Sequence, residues 1–364
     1  MRVPGAVIAG SRTQIRPTYN IEFDISSFLL GFLYLWGVNT NAMKLASVIL
    51  MAAPLLMAAC GTPNRTPAPK ASSQEVAAFD ADSAYAYVAR QVAFGPRVPK
   101  SEAHGQCAKW LESELKRHGA DTVIRQEAIA DDNQGGTIPV VNIMGRYNTT
   151  AAKRILLLAH WDTRPVADND PDPAKRGIAI NGANDGASGV GVLLEIARQL
   201  GQKAPSVGVD ILLCDAEDSG THDNDDSWAI GTRYWTEHMP YDKGVLPAYG
   251  ILLDMVGGRD AKFHREYFSQ RDARGIVDKV WATATLVGES DRFVNAVGGA
   301  VTDDHVPVNE AGIPCIDIIE CYNPQSGSFN PTWHTTADNM DNIDAATLRA
   351  AGATVINVIY NERP

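Results

Sequence analysis

Cysteine is scarce in this chain, with five among 364 residues, and no two stand in a Cys-x-x-Cys spacing. That excludes a zinc-finger framework and offers no pattern for a disulfide scaffold. Positive charge is also short. The 32 Lys and Arg face 43 Asp and Glu, giving a net charge of -11, and no basic run or stripe occurs. Nucleic acid is therefore not an expected partner. No internal repeat is visible, which excludes a solenoid. No second linker divides the chain into separate folded parts. The apolar run near the amino terminus is too short and wrongly flanked for a spanning helix. What remains is 45% hydrophobic, enough to bury a full core at this length.

The amino-terminal region reads as targeting sequence. Met43-Lys44 opens a short basic start, the apolar run Leu45 to Ala59 follows, and Cys60-Gly61 closes it. Leu56-Met57-Ala58-Ala59-Cys60 resembles a bacterial lipobox, in which small residues precede a Cys that is lipidated. Residues 43–60 are thus expected to be a lipoprotein signal peptide with Cys60 as the lipidation site. The protein would sit in a bacterial cell envelope, on the periplasmic or surface side, tethered to the membrane without spanning it. Residues 1–42, with their own apolar stretch Phe28 to Trp36, read as an over-extended start. Residues 61–78 are rich in Pro, Thr and Ser and read as an extended tether. Residues 79–364 are expected to form one folded domain. Of the remaining cysteines, Cys107, Cys214, Cys315 and Cys321, two lie inside apolar strand-like runs. A buried free thiol is the ordinary outcome there.

Strand-like runs occur at Val140–Tyr147, Ile155–His160, Val207–Cys214, Gly250–Met255 and Ile313–Glu320. Several are nearly continuous in apolar residues, as expected where both faces of a sheet are covered. Helical patterns alternate with them. Ser101–His118 places Cys107, Trp110, Leu111 and Leu115 on one face before Gly119. Ser188–Leu200 carries Val190, Leu193, Leu194 and Ala197 at helical spacing, and Ala345–Tyr360 closes the chain as a helix. This alternation predicts an α/β three-layer sandwich, with a twisted mixed central sheet and helices on both faces. Ligands collect at the carboxyl ends of strands in such sheets.

Acidic and histidine-bearing patches recur down the second half of the chain, most follow an apolar run, and His160, Asp215–Asp218 and Asp254 lie at or just past strand ends. They are His160-Trp161-Asp162, Asn184-Asp185-Gly186, Glu217-Asp218, Asp254 and Asp303-Asp304-His305, with Trp333-His334 completing the set. Any one Asp is ordinarily a solvated or capping residue. Together, in this order, they make an inventory able to converge on one metal ion. A catalytic zinc takes three such protein ligands and keeps a position open.

The motifs His160-x-Asp162, Asn184-Asp185-Gly186-Ala187-Ser188-Gly189, Asp215-Ala216-Glu217-Asp218 and Ile251-Leu252-Leu253-Asp254-Met255 resemble the co-catalytic zinc aminopeptidase superfamily. Asp303-Asp304-His305-Val306-Pro307 and Trp333-His334-Thr335 narrow the resemblance to animal-type glutaminyl-peptide cyclotransferases and their bacterial relatives. It covers roughly residues 80–362. It implies cyclisation of N-terminal glutamine in peptides and proteins, and one zinc per chain held by Asp185, Asp218 and His334. Glu217 would be the general acid/base, and Asp254 and Asp303 a hydrogen-bonded acidic pair beside it. Trp333 and Phe329 would line the substrate pocket. The chain departs from the animal pattern at Asp218, where those enzymes carry the longer Glu, and at Thr302, where they carry Gln. Their pocket Trp has no match in Ser219–Asp223; Trp228 is a substitute or else a core residue. The alternative is a two-zinc aminopeptidase using His160 and Asp254 for the second ion. Asp303 favours the cyclase, because aminopeptidases of this superfamily usually have a small residue there, and two close carboxyls tend to share a proton. A binding domain that has lost its metal is a third reading, and it conflicts with a competent residue at every ligand position.

Overall fold

The structure is a computed structural model that describes Val76, residues 78–242 and residues 244–364. Cys60, the signal peptide and nearly all of the tether lie outside the described residues. The strands are β1 (Thr122–Asp131), β2 (Thr137–Tyr147), β3 (Arg154–His160), β4 (Gly208–Cys214), β5 (Gly250–Leu253), β6 (Phe263–Arg265), β7 (Phe293–Val297) and β8 (Cys315–Ile318). The helices are α1 (Ala81–Val92), α2 (Glu102–Arg117), α3 (Ala187–Gln202), α4 (Ile230–Glu237), α5 (Tyr267–Asp272), α6 (Arg274–Leu286), α7 (His305–Glu310) and α8 (Ala345–Asn361).

Six strands form the central sheet in the order β1-β2-β4-β3-β5-β8. β1, β2 and β4 run antiparallel in turn, whereas β4, β3, β5 and β8 are mutually parallel. The sheet is therefore mixed, as expected. Every residue of β3 and of β4 is buried, which is why both read as apolar runs without alternation. Ile155, Leu157 and Ala159 of β3 join the cluster shared with α1, α2, α3, α6 and α8. Leu156 and Leu158 turn to the opposite face, against Trp235 of α4 and Val308 of α7. Those two layers make the three-layer sandwich. Each such Leu, fully buried, contributes roughly 1.5–3 kcal/mol.

Local chemistry fixes the helix ends. Ser101 caps α2 by accepting from the His104 backbone N–H, and Asp344 caps α8 by accepting from Ala346 N–H. α3 has no side-chain cap and is buried along nearly its whole length. It can press onto the sheet because Gly189 lacks a side chain: a Cβ there would stand 1.9 Å from the Leu253 carbonyl oxygen. That contact sets the start of α3, and hence Asp185, against the end of β5. All four cysteines among the described residues are buried free thiols. No helix among the described residues is long and apolar enough to cross a membrane.

Candidate active site

The candidate residues meet at the carboxyl edge of the parallel strands. His160 ends β3, Asp215–Asp218 follow β4, and Asp254 follows β5. Asp185 arrives from the turn before α3, Asp303 and Asp304 from the turn before α7, and His334 from the loop after β8. All of these side chains are buried. Ala216, Met255 and His334 hold left-handed backbone at φ of 52°, 46° and 55°. Non-glycine residues seldom adopt that conformation, and strain of this kind gathers where side-chain direction matters more than local energy.

Two sets of three ligand-type side chains share Asp185. Asp185, Asp218 and His334 place one ligand atom each within 4.8 Å of one another, as do His160, Asp185 and Asp254. His334 Nε2 lies 3.2 Å from Asp218 Oδ1 and 3.6 Å from Asp185 Oδ2. His160 Nε2 lies 3.1 Å from both Asp185 Oδ1 and Asp254 Oδ1. Residues outside these sets hold them in place. Asp162 accepts from the backbone N–H of Glu217 at 3.1 Å and of Asp218 at 3.3 Å. Asp338 accepts from the backbone N–H of Asn184 at 2.7 Å and of Asp185 at 3.1 Å. Asp168 faces His334 Nδ1 at 3.3 Å. Asp338 and Asp168 carried no motif in the sequence. The one clue was the Asp-rich composition of their loops, which is not specific.

The electrostatics call for a cation. Neither carboxylate oxygen of Asp218 has a hydrogen-bond partner among the described residues, although both are buried. Burial, with the Asp185 carboxylate behind it, raises Asp218 to about 6. Burial alone would lower His334, but Asp218, Asp168 and Asp185 lift it to about 9. A protonated His334 is the charge these carboxylates demand, and a divalent ion would displace that proton. Two carboxylates and an imidazole form a donor set suited to a catalytic zinc-type ion, with a position left for substrate. Asp185, Asp218 and His334 thus fit a metal.

Glu217 stands beside this centre without joining either set. Burial first, and the Asp303 carboxylate second, push it well above its ordinary value of 4.5. Asp303 is itself raised to about 6 by burial and by Asp254. The expected hydrogen bond within the Asp254–Asp303 pair is not formed. Asp254 Oδ1 turns to Met255 N–H at 2.8 Å and to His160, while Asp303 Oδ1 accepts from Asp304 N–H at 2.5 Å. Asp303 Oδ2 is left without a partner among the described residues. The two carboxylates are coupled through their fields instead.

These groups line a cleft of about 230 Å³. Its lining includes the acidic groups Glu217, Asp218, Asp254 and Asp303. Apolar side chains of Phe329, Trp333, Ile319 and Val301 line it too. Phe329 and Trp333 rings pack 4.5 Å apart. Trp228 is a pocket residue and not a core one. It lies parallel to the His334 ring at 6.2 Å, on the same cleft. A larger hollow of about 660 Å³ lies between β1 and α4, and it carries none of these groups.

This fold and this site define a metal-dependent enzyme of the α/β three-layer class. The chain belongs to Peptidase family M28, whose model matches residues 142–359. Its fold is similar to that of Bacteroides thetaiotaomicron glutaminyl cyclase bound to N-acetylhistamine, at 47% identity and a TM-score of 0.77, over 79% of this chain and 100% of that one. A Zn-dependent exopeptidase from Parabacteroides distasonis is 52% identical with a TM-score of 0.75, over 79% of this chain and 100% of that one. Bos taurus glutaminyl-peptide cyclotransferase is 23% identical over 280 residues, 69% of this chain and 74% of its own length. Aminopeptidase YwaD of Bacillus subtilis is 26% identical over 224 residues, 61% of this chain, and the match spans only 44% of its length.

Proposed function

We propose that the chain converts N-terminal glutamine of peptides and proteins to pyroglutamate with release of ammonia. The observation that carries this reading is the Asp303 carboxylate, which lines the same cleft as Glu217 and Asp254, raises Glu217 through its field and stands outside the Asp185–Asp218–His334 set. Likeness to the Bacteroides thetaiotaomicron and Bos taurus enzymes supports it. Asp185, Asp218 and His334 would hold one zinc per chain. A zinc bound there supplies Lewis-acid polarisation of the side-chain amide carbonyl.

The chain's own groups do the rest. Phe329, Trp333 and Trp228 enclose the glutamine side chain and limit water at the reacting carbon. Glu217 takes a proton from the α-amine as its nitrogen attacks the side-chain amide carbon. The new C–N bond closes the lactam ring, and the bond to the amide nitrogen breaks. Glu217 passes the same proton to that nitrogen, which leaves as ammonia. A carboxyl raised by burial suits this two-way transfer, because general acid/base groups work best near the operating pH. Asp254 and Asp303 face the departing nitrogen and orient it.

A second reading rests on the His160–Asp185–Asp254 set, which offers a second metal position and supports a two-zinc aminopeptidase. Incubating the protein with Gln-initiated peptides separates the two by product mass. Loss of ammonia supports the cyclase, whereas loss of a whole residue refutes it. We further propose a lipid anchor on Cys60 that ties the domain to a bacterial cell envelope, supported by the lipobox-like Leu56–Cys60. An intact mass of membrane-extracted protein that lacks the lipid would refute the anchor.

A further inference from the structure

One buried guanidinium lies against the candidate metal centre. Arg164 follows the end of β3 and is buried. Its Nε and Nη2 donate to the two oxygens of Asp168 at 2.9 and 2.6 Å, a bidentate pair. Its Nη1 donates to the carbonyl oxygens of Asp218 at 3.3 Å and Gly220 at 3.1 Å, and lies 3.5 Å from Asp218 Oδ1. Its carbon Cζ lies 5.0 Å from the centre of the Trp228 ring. Asp168 in turn faces Nδ1 of His334 at 3.3 Å and Nε2 of the rim residue His222 at 3.4 Å.

We propose that Arg164 and Asp168 are a positioning pair that aims Asp218 and His334 at the metal and braces the Trp228 wall. This rests on the metal assignment made above. Asp168 holds its charge 3.3 Å from Nδ1 of His334, a nitrogen that has no hydrogen-bond partner of good geometry among the described residues, and this leaves Nε2 directed at Asp185 and Asp218. Such partners of ligating histidines set ring orientation and tautomer. Arg164 pins the backbone of the 218–220 turn through two carbonyls, so the short Asp218 side chain is aimed from a fixed base. Only a planar, multi-donor fork can serve Asp168, two carbonyls and an aromatic face together; the point charge of Lys does not. One side chain thereby links two of the three ligands to the substrate wall.

The test uses the full-length protein and reads metal binding apart from turnover. Zinc affinity is measured by competition with a chromogenic chelator, and the visible spectrum is recorded after cobalt replacement. Asp168→Asn is expected to weaken zinc about 10–100-fold and to alter the cobalt spectrum. Arg164→Gln is expected to do the same and also to raise KM, because Trp228 loses its cationic face. Arg164→Lys, the milder change should Arg164→Gln fold poorly, recovers part of the affinity and not the parental spectrum. Folded variants with parental zinc affinity and cobalt spectrum would overturn the proposal. Because affinity is read without substrate, a parent enzyme that proved to be a peptidase would sink the cyclase reading and leave this one standing.

Discussion

Glu217→Gln separates proton transfer from metal binding. The replacement is nearly isosteric and leaves Asp185, Asp218 and His334 untouched. Zinc should therefore be retained at the parental level. The amide cannot accept the α-amine proton, so turnover should fall about 10²–10⁴-fold. That corresponds to roughly 3–5 kcal/mol of lost barrier reduction. The variant should also change stability in a defined direction. Glu217 has a folded-state pKa well above its ordinary value of 4.5, so ionising it costs the folded state. The penalty is absent below the unfolded pKa. It grows as pH rises above that value and levels once pH passes the raised folded value. Each unit of upward shift is worth about 1.4 kcal/mol. Glutamine carries no such penalty. In zinc-stripped protein, Glu217→Gln should match the parent at pH near 4 and exceed its Tm near pH 8. Activity on Gln-peptides, zinc content and thermal unfolding at the two pH values check all three claims. Parental turnover in the variant, or zinc lost from a folded variant, would refute the assignment of Glu217.

Asp218→Ala should show the opposite order of effects: zinc lost on dialysis first, with turnover partly restored by excess zinc. Full zinc content after dialysis would contradict the ligand role. Asp303→Ser removes the carboxylate that lifts Glu217 and leaves Asp254 beside His160 with Asp185 as its acidic neighbour. It should abolish cyclisation and admit a second zinc at His160, Asp185 and Asp254, measured by metal analysis. A variant that cyclises as fast as the parent would remove the acidic pair from the mechanism.

The site was legible in the sequence wherever a motif sits at a strand end. His160, Glu217, Asp218 and Asp254 converge because β3, β4 and β5 are parallel and deliver their carboxyl ends to one edge, where Asp185, Asp303 and His334 join them from loops with recognisable motifs. The residues that hold them were not legible. Asp338 grips the Asp185 turn from 153 residues away, and no local pattern encodes that pairing. Asp168 and Arg164 stand four residues apart and read as an ordinary ion pair until His334 is seen beside them. The fold shows the same division. β3 and β4, fully buried, were visible as apolar runs, whereas β1 lies at the sheet edge with an exposed and half-buried pattern that gave no strand signal. Trp228 was ambiguous because a pocket Trp and a core Trp have the same sequence. Its place is set by the 218–220 turn that Gly220 lets pack against its ring.

Zinc titration of the stripped protein tests the account most directly, with ammonia and free amino acid both measured on a Gln-peptide. Activity should saturate at one zinc per chain, and ammonia should be the sole small product. Saturation only at two zinc ions, with release of free glutamine, would place this chain with the two-metal aminopeptidases and contradict the role of Asp303 in cyclisation.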